Sequence, residues 1–365
     1  MKLQIKWWGW LILILVVGAV VRFGWFGQSP PSLNWDEASL GYNAYSIALT
    51  GKDEWNRILP ISFEAFGDYK LPVYIYASVP LIMIFGLSEW SIRLISMLAG
   101  VASIGLVYLI GYQLFNDRKI GLVAAGLMAI SPWAIFFSRA ALEANLSLSL
   151  VLMGIYGWLL ARTKPSGWVI GAIGFGLSLF TYNSARVVVP LLISGWLLIS
   201  WKKLNWRLPQ FWLAGVILMV TVGFAGYQGI AQDSSARYYW VSIIDQGAIN
   251  YLNESRGLNH WPLGLEKLIF NRYFYFAQHF TANYLSHFGV NYLFLEGGSN
   301  YQFSVPGWGM LNWFEAPLIL LGLWQIWRLK KIRCISLNKQ DYDVSYPFTI
   351  KGVFYGQPQL FHSEE

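Results

Sequence analysis

The 365-residue chain is poor in charge: 12% of its residues are Asp, Glu, Lys or Arg, whereas 56% are hydrophobic. Soluble domains carry about 25% charged residues, so this composition excludes an ordinary soluble protein. The 26 basic residues outnumber the 19 acidic ones, but they lie in short clusters between apolar runs instead of forming one patch. Such clusters are typical of cytoplasmic loops and argue against nucleic acid as a partner.

Cysteine is also nearly missing, because Cys334 is the only one in the sequence. A single thiol excludes an intramolecular disulfide framework and a thiolate metal site. His260, His279 and His287 do not follow a standard metal-ligand spacing, so no cofactor is predicted and a divalent metal stays an alternative. Aromatic residues are abundant, with 20 Trp, 21 Tyr and 23 Phe. Trp and Tyr concentrate at membrane–water interfaces, which indicates a membrane protein.

Long apolar runs divide the chain. The first run, residues 7–26, follows Lys2 and Lys6 and favours a retained anchor with a cytoplasmic N-terminus over a cleaved signal sequence. Further runs lie at 71–87, 91–114, 120–137, 142–161, 168–182, 186–201, 209–227 and 313–329.

The run 71–87 is short and contains two prolines, so we interpret it as an interfacial helix on the outer face. About eight true spans remain, and all basic clusters then fall on the cytoplasmic side together with both termini. The predicted fold is an all-α polytopic membrane protein with juxtamembrane helices on its outer face.

The same topology predicts the domain organisation. Residues 1–330 form one transmembrane module with a first outer loop, 27–90, and a long outer segment, 228–312. Residues 331–365 are interpreted as a short cytoplasmic tail, with a truncated chain as the alternative. Polar groups of several outer loops converge on one face, which is typical of an extracytoplasmic active site on a membrane scaffold.

Two adjacent carboxylates, Asp36 and Glu37, follow the first apolar run. We expect a helix over Asp36–Thr50 whose apolar residues, Leu40 and Ile47 among them, lie on the bilayer. Asn34 is the expected N-cap, and Glu37 three positions later completes a capping box, which gives Glu37 a structural explanation. Asp36 has only the helix dipole as a comparable explanation. Asp36 is therefore the favoured candidate for chemistry.

Lys70 lies in the second polar segment, Phe66–Pro72. Gly67 permits a tight turn, and Pro72 is suited to the first position of a following helix. This arrangement places Lys70 at the level of the lipid headgroups. A lysine there either extends its ammonium towards water beside the membrane or binds a phosphate delivered from the membrane.

Two further outer turns carry arginine. Arg139 and Glu143 are spaced i,i+4, so we expect them on one helix face, either as a simple ion pair or as a functional pair. An acid entering an apolar helix is costly unless it is paired or functional. Arg186 follows Tyr182 in a tight turn and is either a phosphate ligand or a membrane anchor.

Four segments together resemble the GT-C membrane glycosyltransferases, and within them the protein O-mannosyltransferase-like and lipid A aminoarabinose transferase-like group. Asn34–Ala38 resembles the acidic first-loop motif, and Phe66–Tyr74 resembles the segment that opens the juxtamembrane helix. Ser131–Glu143 resembles the arginine-bearing turn, and Ser286–Gly307 the outer segment before a later span. The resemblance covers roughly residues 1–330 and implies a GT-C-like helix bundle.

The resemblance implies transfer of a sugar from a polyprenyl-phosphate donor to an extracytoplasmic protein, lipid or glycan, by an inverting displacement. Asp36 would be the general base, and Glu37 would orient Asp36 or the acceptor, so both belong to the catalytic group. The residues implied for donor phosphate binding are Lys70, Arg139, Glu143, Tyr182 and Arg186, with Glu143 positioning Arg139. Weaker candidates for contact with the acceptor or the sugar are Asp68, Tyr69 and His287.

Two alternatives stay open. A secondary transporter or lipid-linked-sugar flippase would place ionisable groups near the bilayer midplane, whereas here they lie at the ends of apolar runs. A non-catalytic protein of the same fold would bind the lipid-linked sugar without transferring it. The expected location in every case is a membrane, with the prokaryotic plasma membrane favoured.

Overall fold

Helices form at every long apolar run in the computed structural model, which describes residues 6–25, 28–204, 206–231, 242–259, 264–300 and 302–329. The predicted tail, 331–365, lies outside these ranges. The helices are α1 (Trp7–Phe23), α2 (Trp35–Thr50), α3 (Pro72–Phe85), α4 (Glu89–Phe115), α5 (Arg118–Ile130), α6 (Pro132–Arg139), α7 (Glu143–Leu160), α8 (Ser166–Leu179), α9 (Ala185–Ser200), α10 (Pro209–Ala231), α11 (Gln246–Leu258), α12 (Glu266–Ile269), α13 (Arg272–Ser286) and α14 (Glu315–Leu329). Two short strands, β1 (Phe63–Ala65) and β2 (Asp68–Lys70), form a hairpin. A 3₁₀ turn covers Trp201–Lys203, and a π-helical turn covers Asn291–Leu295.

The predicted class, an all-α membrane protein with several apolar helices, is confirmed. Among the described residues, three helices, α4, α7 and α10, have the length and composition to cross a bilayer. The α5–α6 pair would add a fourth if it is one bent span. Five further apolar helices, α1, α3, α8, α9 and α14, are shorter, with between 10 and 17 residues each. The number of spans and their sidedness stay predictions.

The run 120–137 does not form the single straight helix that its hydropathy predicts. It breaks at Ser131, and α5 and α6 meet at an angle of 57°. Pro132 explains the break because proline has no N–H to donate and disfavours helical backbone in the residue before it. The buried Arg22 of α1 donates to the carbonyl of Ala129 at 3.0 Å, next to the break. The sharp bend is thus stabilised by a side chain from another helix.

Helices α7 and α8 pack so closely that their backbones touch. A Cβ atom added to Gly157 would lie 2.3 Å from the backbone nitrogen of Gly171 and 2.8 Å from the carbonyl oxygen of Gly167. Small residues at a helix crossing permit this approach and are common between membrane helices. Trp158 and Phe175 pack edge to face beside the contact, with ring centroids 4.5 Å apart.

Helix α2 forms as predicted, but its apolar face has a different neighbour. The capping box of Asn34 and Glu37 is present, and Gly51 ends the helix in the left-handed conformation, with φ of 71°. Leu40 and Ile47 are buried against α3 and α4. The expectation that they lie on the bilayer is therefore wrong, because α3 and α4 cover this face.

The β1–β2 hairpin carries the chain from α2 to α3. Gly67 supplies the predicted turn with a φ of 76°, and Pro72 occupies the predicted first position of α3. Lys70 is the last residue of β2 and pairs with Phe63 of β1. The hairpin and the rigid start of α3 thus fix the direction in which Lys70 leaves the backbone.

Candidate active site

Three predicted site residues from distant parts of the chain meet at one point. Lys70 forms an ion pair with Asp36 Oδ1 and lies 3.9 Å from Glu143 Oε2. Asp36 lies in the first turn of α2, and Glu143 is the first residue of α7. The side chains of Lys70 and Glu143 are 12% exposed and that of Asp36 is 21% exposed, so the Asp36–Lys70–Glu143 cluster is partly open.

The cluster keeps Lys70 charged. Burial lowers the pKa of the Lys70 ammonium, but Glu143, Asp36 and Asp68 outweigh this effect, and the pKa is raised above its ordinary value. A raised pKa keeps the ammonium protonated at neutral pH. Charges interact more strongly in a partly desolvated site than in water, so the charged ammonium has the chemistry to bind an anion.

Gln302 completes the environment of Asp36. Its Nε2 donates to Asp36 Oδ2 at 2.6 Å, so both oxygens of the Asp36 carboxylate have a partner. Gln302 belongs to the segment that precedes α14, 266 positions from Asp36. Sequence reasoning missed this residue because no local pattern links positions so far apart.

Glu37 lies in a closed environment and not in the cluster. Arg93 of α4 donates to it through Nε at 2.8 Å and through Nη2 at 3.0 Å. The backbone N–H of Ala141 donates to the same carboxylate at 2.7 Å, and that of Asn34 at 3.0 Å. Glu37 and Arg93 are each 1% exposed. Glu37 therefore ties α2, α4 and the turn before α7 together, and its described partners do not include Asp36.

Arg93 is the second functional residue that sequence reasoning missed. It also donates to the backbone carbonyls of Pro30 and Ser32, at 3.1 Å and 2.8 Å. These bonds hold the segment that leads into α2. A signal was available, since a charged residue inside an apolar run such as 91–114 is rare unless it is paired or functional.

The expectation that Arg139 and Glu143 share one helix face is wrong. Helix α6 ends at Arg139 and α7 begins at Glu143, so the two residues do not share a helix face. Arg139 instead donates to the backbone carbonyls of Val21 at 2.7 Å and Ser29 at 2.8 Å. Glu143 Oε2 lies 3.9 Å from the Lys70 ammonium, a contact that the sequence did not predict.

The turn that carries Tyr182 and Arg186 is hydrogen-bonded to the start of α3. The carbonyl of Phe180, just before their turn, accepts from the N–H of Val73 at 3.1 Å, three residues after Lys70. Arg186 Nη2 donates to Gln228 Oε1 at 2.8 Å. Arg186 is half-buried and fastens α9 to α10 through this bond.

The three weaker candidates occupy two places. Asp68 and Tyr69 are half-buried in β2, where Asp68 Oδ1 accepts from the N–H of Tyr69 at 2.8 Å. His287 is exposed just after α13, and its ring lies 5.0 Å from that of Tyr292. It lines a cavity of about 800 Å³ between the start of α6 and residues 286–310, which we call the aromatic groove.

Within the described ranges, no group of three or more His, Cys, Asp or Glu side chains has the arrangement to hold a metal ion. At the cluster, the ammonium of Lys70 lies beside two carboxylates. It occupies the position that a cation would take between them.

A family match covers the middle of the chain. Residues 70–225 match the model of the dolichyl-phosphate-mannose-protein mannosyltransferase family. The predicted family resemblance is confirmed over this range. The match begins at Lys70 and includes Arg139, Glu143 and Arg186. No curated protein matches the chain.

Several solved structures are similar to this one. The oligosaccharyltransferase AglB from Archaeoglobus fulgidus, with an inhibitory peptide and a dolichol-phosphate, has 16% identity and a TM-score of 0.46 over 77% of this chain and 38% of its own. The same organism's oligosaccharyltransferase with Zn and sulfate has 15% identity and a TM-score of 0.49 over 88% and 43%. ArnT from Cupriavidus metallidurans in the apo state has 17% identity and a TM-score of 0.45 over 72% and 53%. The chain thus spans about two fifths to one half of these proteins' lengths.

Proposed function

We propose that this protein transfers a sugar from a polyprenyl-phosphate donor to an acceptor outside the cytoplasm. The Asp36–Lys70–Glu143 cluster carries the proposal, because it joins a carboxylate suited to proton abstraction to a cation suited to a phosphate. The family match supports a lipid-linked donor, since its members are named for dolichyl-phosphate-mannose.

In the proposed reaction, Asp36 accepts the proton of an acceptor hydroxyl or amine while the oxygen or nitrogen attacks the anomeric carbon. The bond between this carbon and the phosphate oxygen breaks, and the leaving phosphate takes the electron pair. Lys70 stabilises the growing negative charge. Because attack and departure occur on opposite faces of the sugar, the anomeric configuration inverts.

The ion pair between Asp36 and Lys70 requires one rearrangement in this mechanism. Lysine carries its charge on a flexible four-carbon stem. When the donor binds, the Lys70 ammonium exchanges Asp36 for the phosphate, and the carboxylate becomes available to the acceptor. Glu143 retains Lys70 at the site during this exchange. Gln302 keeps Asp36 in place through its 2.6 Å hydrogen bond.

Two residues have other proposed roles than those that the resemblance implies. We propose that Glu37 positions the start of α2 and takes no part in proton transfer, since its carboxylate is enclosed by Arg93 and backbone N–H groups. Arg139 supports the turn between α6 and α7 through its bonds to Val21 and Ser29. Arg186 and Tyr182 are the proposed second contact for the donor, because their turn is hydrogen-bonded to the start of α3.

The proposal is tested by sugar transfer with the purified full-length chain. Radiolabelled polyprenyl-phosphate hexoses and pentoses are supplied as donors, and membranes of the source organism serve as acceptor. We expect Asp36→Asn to lower the transfer rate roughly 100- to 10,000-fold, as for loss of a general base. Donor binding should persist in this variant.

Glu64→Gln is the matched control, because Glu64 is an exposed carboxylate of the same outer loop, paired with Arg57. It should transfer sugar at the wild-type rate. Equal rates for the wild type and Asp36→Asn would refute Asp36 as the base. Donor binding without transfer in the wild type would instead support a non-catalytic binding protein.

A further inference from the structure

The aromatic groove adjoins the cluster. Phe303 lines the groove and directly follows Gln302, whose side chain holds Asp36. The ring of Phe303 lies 6.4 Å from that of Phe137, which in turn lies 4.8 Å from the ring of Trp133. A ligand in the groove would therefore rest one residue away from the partner of the proposed base.

The groove is held in shape by the backbone and does not depend on ligand binding to form. The N–H of Trp133 donates to the carbonyl of Met310 at 3.3 Å, and that of Leu311 donates to Leu293 at 2.8 Å. Ser304 Oγ accepts from the N–H of Gly298 at 2.9 Å. The first bond joins residues 286–310 to the start of α6, and the other two fold this segment on itself, so the lining is largely preformed.

The chemistry of the lining selects the ligand. Aromatic side chains alternate with the amides of Asn291 and Asn300 and the hydroxyls of Ser286 and Ser299. The described residues that line the groove include no Asp, Glu, Lys or Arg. His287 and a tyrosine are the only titratable side chains among the described lining residues, so a charged ligand would find no carboxylate, ammonium or guanidinium there. A hydrocarbon chain would leave the amides without hydrogen-bond partners. A sugar ring offers both an apolar C–H face for aromatic rings and hydroxyls for amides.

We propose that the aromatic groove is the acceptor site and that the acceptor is an uncharged carbohydrate. This rests on the proposed glycosyltransferase function and names its acceptor class. Phe303 forms a stacking platform for the acceptor sugar. Gln302 links the position of this platform to the Asp36 carboxylate, so that a bound hydroxyl is presented to the base.

Ligand binding tests the inference without requiring transfer. Saturation-transfer NMR on the detergent-solubilised full chain measures dissociation constants for maltohexaose, cellohexaose, hexagalacturonate, a Ser/Thr-rich peptide and a short polyprenol. We expect saturable binding of at least one neutral hexasaccharide and none of hexagalacturonate. Phe303→Ala should raise the dissociation constant of that hexasaccharide roughly tenfold, because the sugar loses its aromatic stacking contact.

Phe288→Ala is the matched control, because Phe288 is exposed on the same segment but does not line the groove. It should bind the hexasaccharide like the wild type. His287→Ala gives a second groove variant in case Phe303→Ala unfolds early in a thermal melt. Absence of neutral-sugar binding, or equal binding in both groove variants and the wild type, would overturn the acceptor site. Groove-dependent binding of the peptide or the polyprenol in its place would overturn the carbohydrate assignment.

The binding test of the aromatic groove and the transfer test of the proposed function can fail independently. Neutral sugars that bind in the groove while no donor sugar is transferred would remove the glycosyltransferase proposal and keep the site. Transfer to a peptide or lipid without a requirement for Phe303 would keep the glycosyltransferase proposal and remove the groove as the acceptor site.

Discussion

Asp36 and Glu37 are adjacent in the sequence but have opposite surroundings. Successive helical residues point about 100° apart, so one side chain of the first turn of α2 faces the open cluster and the other faces the interior. Asp36 is 21% exposed and contacts a flexible ammonium, whereas Glu37 is 1% exposed and fixed by Arg93. Only the exposed carboxylate is free to exchange its partner for a substrate.

The buried pair predicts a large loss of stability on removal of one charge. Glu37→Gln should destabilise the protein by about 3–5 kcal/mol, because the buried Arg93 loses the buried carboxylate that it contacts at 2.8 Å and keeps the partly exposed Glu89 at 3.7 Å. Thermal unfolding in detergent measures the effect. Glu64→Gln removes the same group from an exposed pair and should change stability by at most about 1 kcal/mol.

Joint replacement of both partners separates charge burial from packing. Glu37→Leu with Arg93→Met should be less destabilising than Glu37→Gln alone, because no buried charge is left unpaired. A double variant that loses as much as the sum of its single substitutions would show that the pair is not coupled.

The position of the Lys70 ammonium between two carboxylates predicts that sugar transfer needs no divalent metal. Its ammonium supplies positive charge between Asp36 and Glu143, the two carboxylates that would otherwise bind a cation. Sugar transfer should therefore continue at the same rate in excess EDTA. The measurement is the transfer assay with chelated and Mg²⁺- or Mn²⁺-supplemented enzyme. Loss of transfer in EDTA that either ion restores would contradict Lys70 as the resident cation.

At the scale of single residues, the sequence predicted which residues belong to the cluster but not which of them contact one another. Asp36 and Lys70 were predictable because charged groups beside apolar runs are few. The contact between Glu143 and Lys70 was not predictable, because the two residues are far apart along the chain. Gln302 is an ordinary polar residue in a loop, and only the fold brings it to Asp36.

At the scale of elements, two breaks explain where sequence reasoning failed. Hydropathy joins 120–137 into one run, although Pro132 marks the break between α5 and α6. The i,i+4 argument for Arg139 and Glu143 assumed a continuous helix that the chain does not form. The helix starts at Pro72 and the end at Gly51 were predictable because proline and glycine have strong local preferences.

The close contact between α7 and α8 predicts that replacing Gly157 with alanine destabilises the protein. In Gly157→Ala the new Cβ would meet the backbone of Gly171 at 2.3 Å, which no side-chain rotation can relieve. The helices must separate, and we expect a loss of stability of about 1–3 kcal/mol, measured by thermal unfolding.

Gly105 of α4 provides the matched control, because a Cβ there has nothing within 4 Å. Gly105→Ala should leave stability unchanged or raise it by up to about 1 kcal/mol, since alanine favours the helix. Similar melting temperatures for the two alanine variants would mean that α7 and α8 are not in backbone contact.

At the scale of the whole molecule, the cluster and the basic end of α5 lie far apart. Arg93, at the start of α4, belongs to the site end, and α4 runs to Phe115 before Arg118 opens α5. The 22 residue-to-residue steps from Arg93 to Phe115 span about 33 Å of helix, close to the thickness of a bilayer's hydrocarbon core. Arg118 packs over Trp7 at 4.7 Å, so the start of α1 lies at the same end.

This separation predicts opposite sidedness for the two ends. In a Cys334→Ser background, the exposed Trp55 of the first outer loop and the exposed Lys119 of α5 are each replaced by cysteine. A membrane-impermeant maleimide should label Trp55→Cys in intact cells and Lys119→Cys only after permeabilisation. Labelling of Lys119→Cys alone in intact cells would place Asp36 and Lys70 in the cytoplasm. The donor would then have to present its phosphate at the inner leaflet, and the positive-inside argument for the basic clusters would be lost with it.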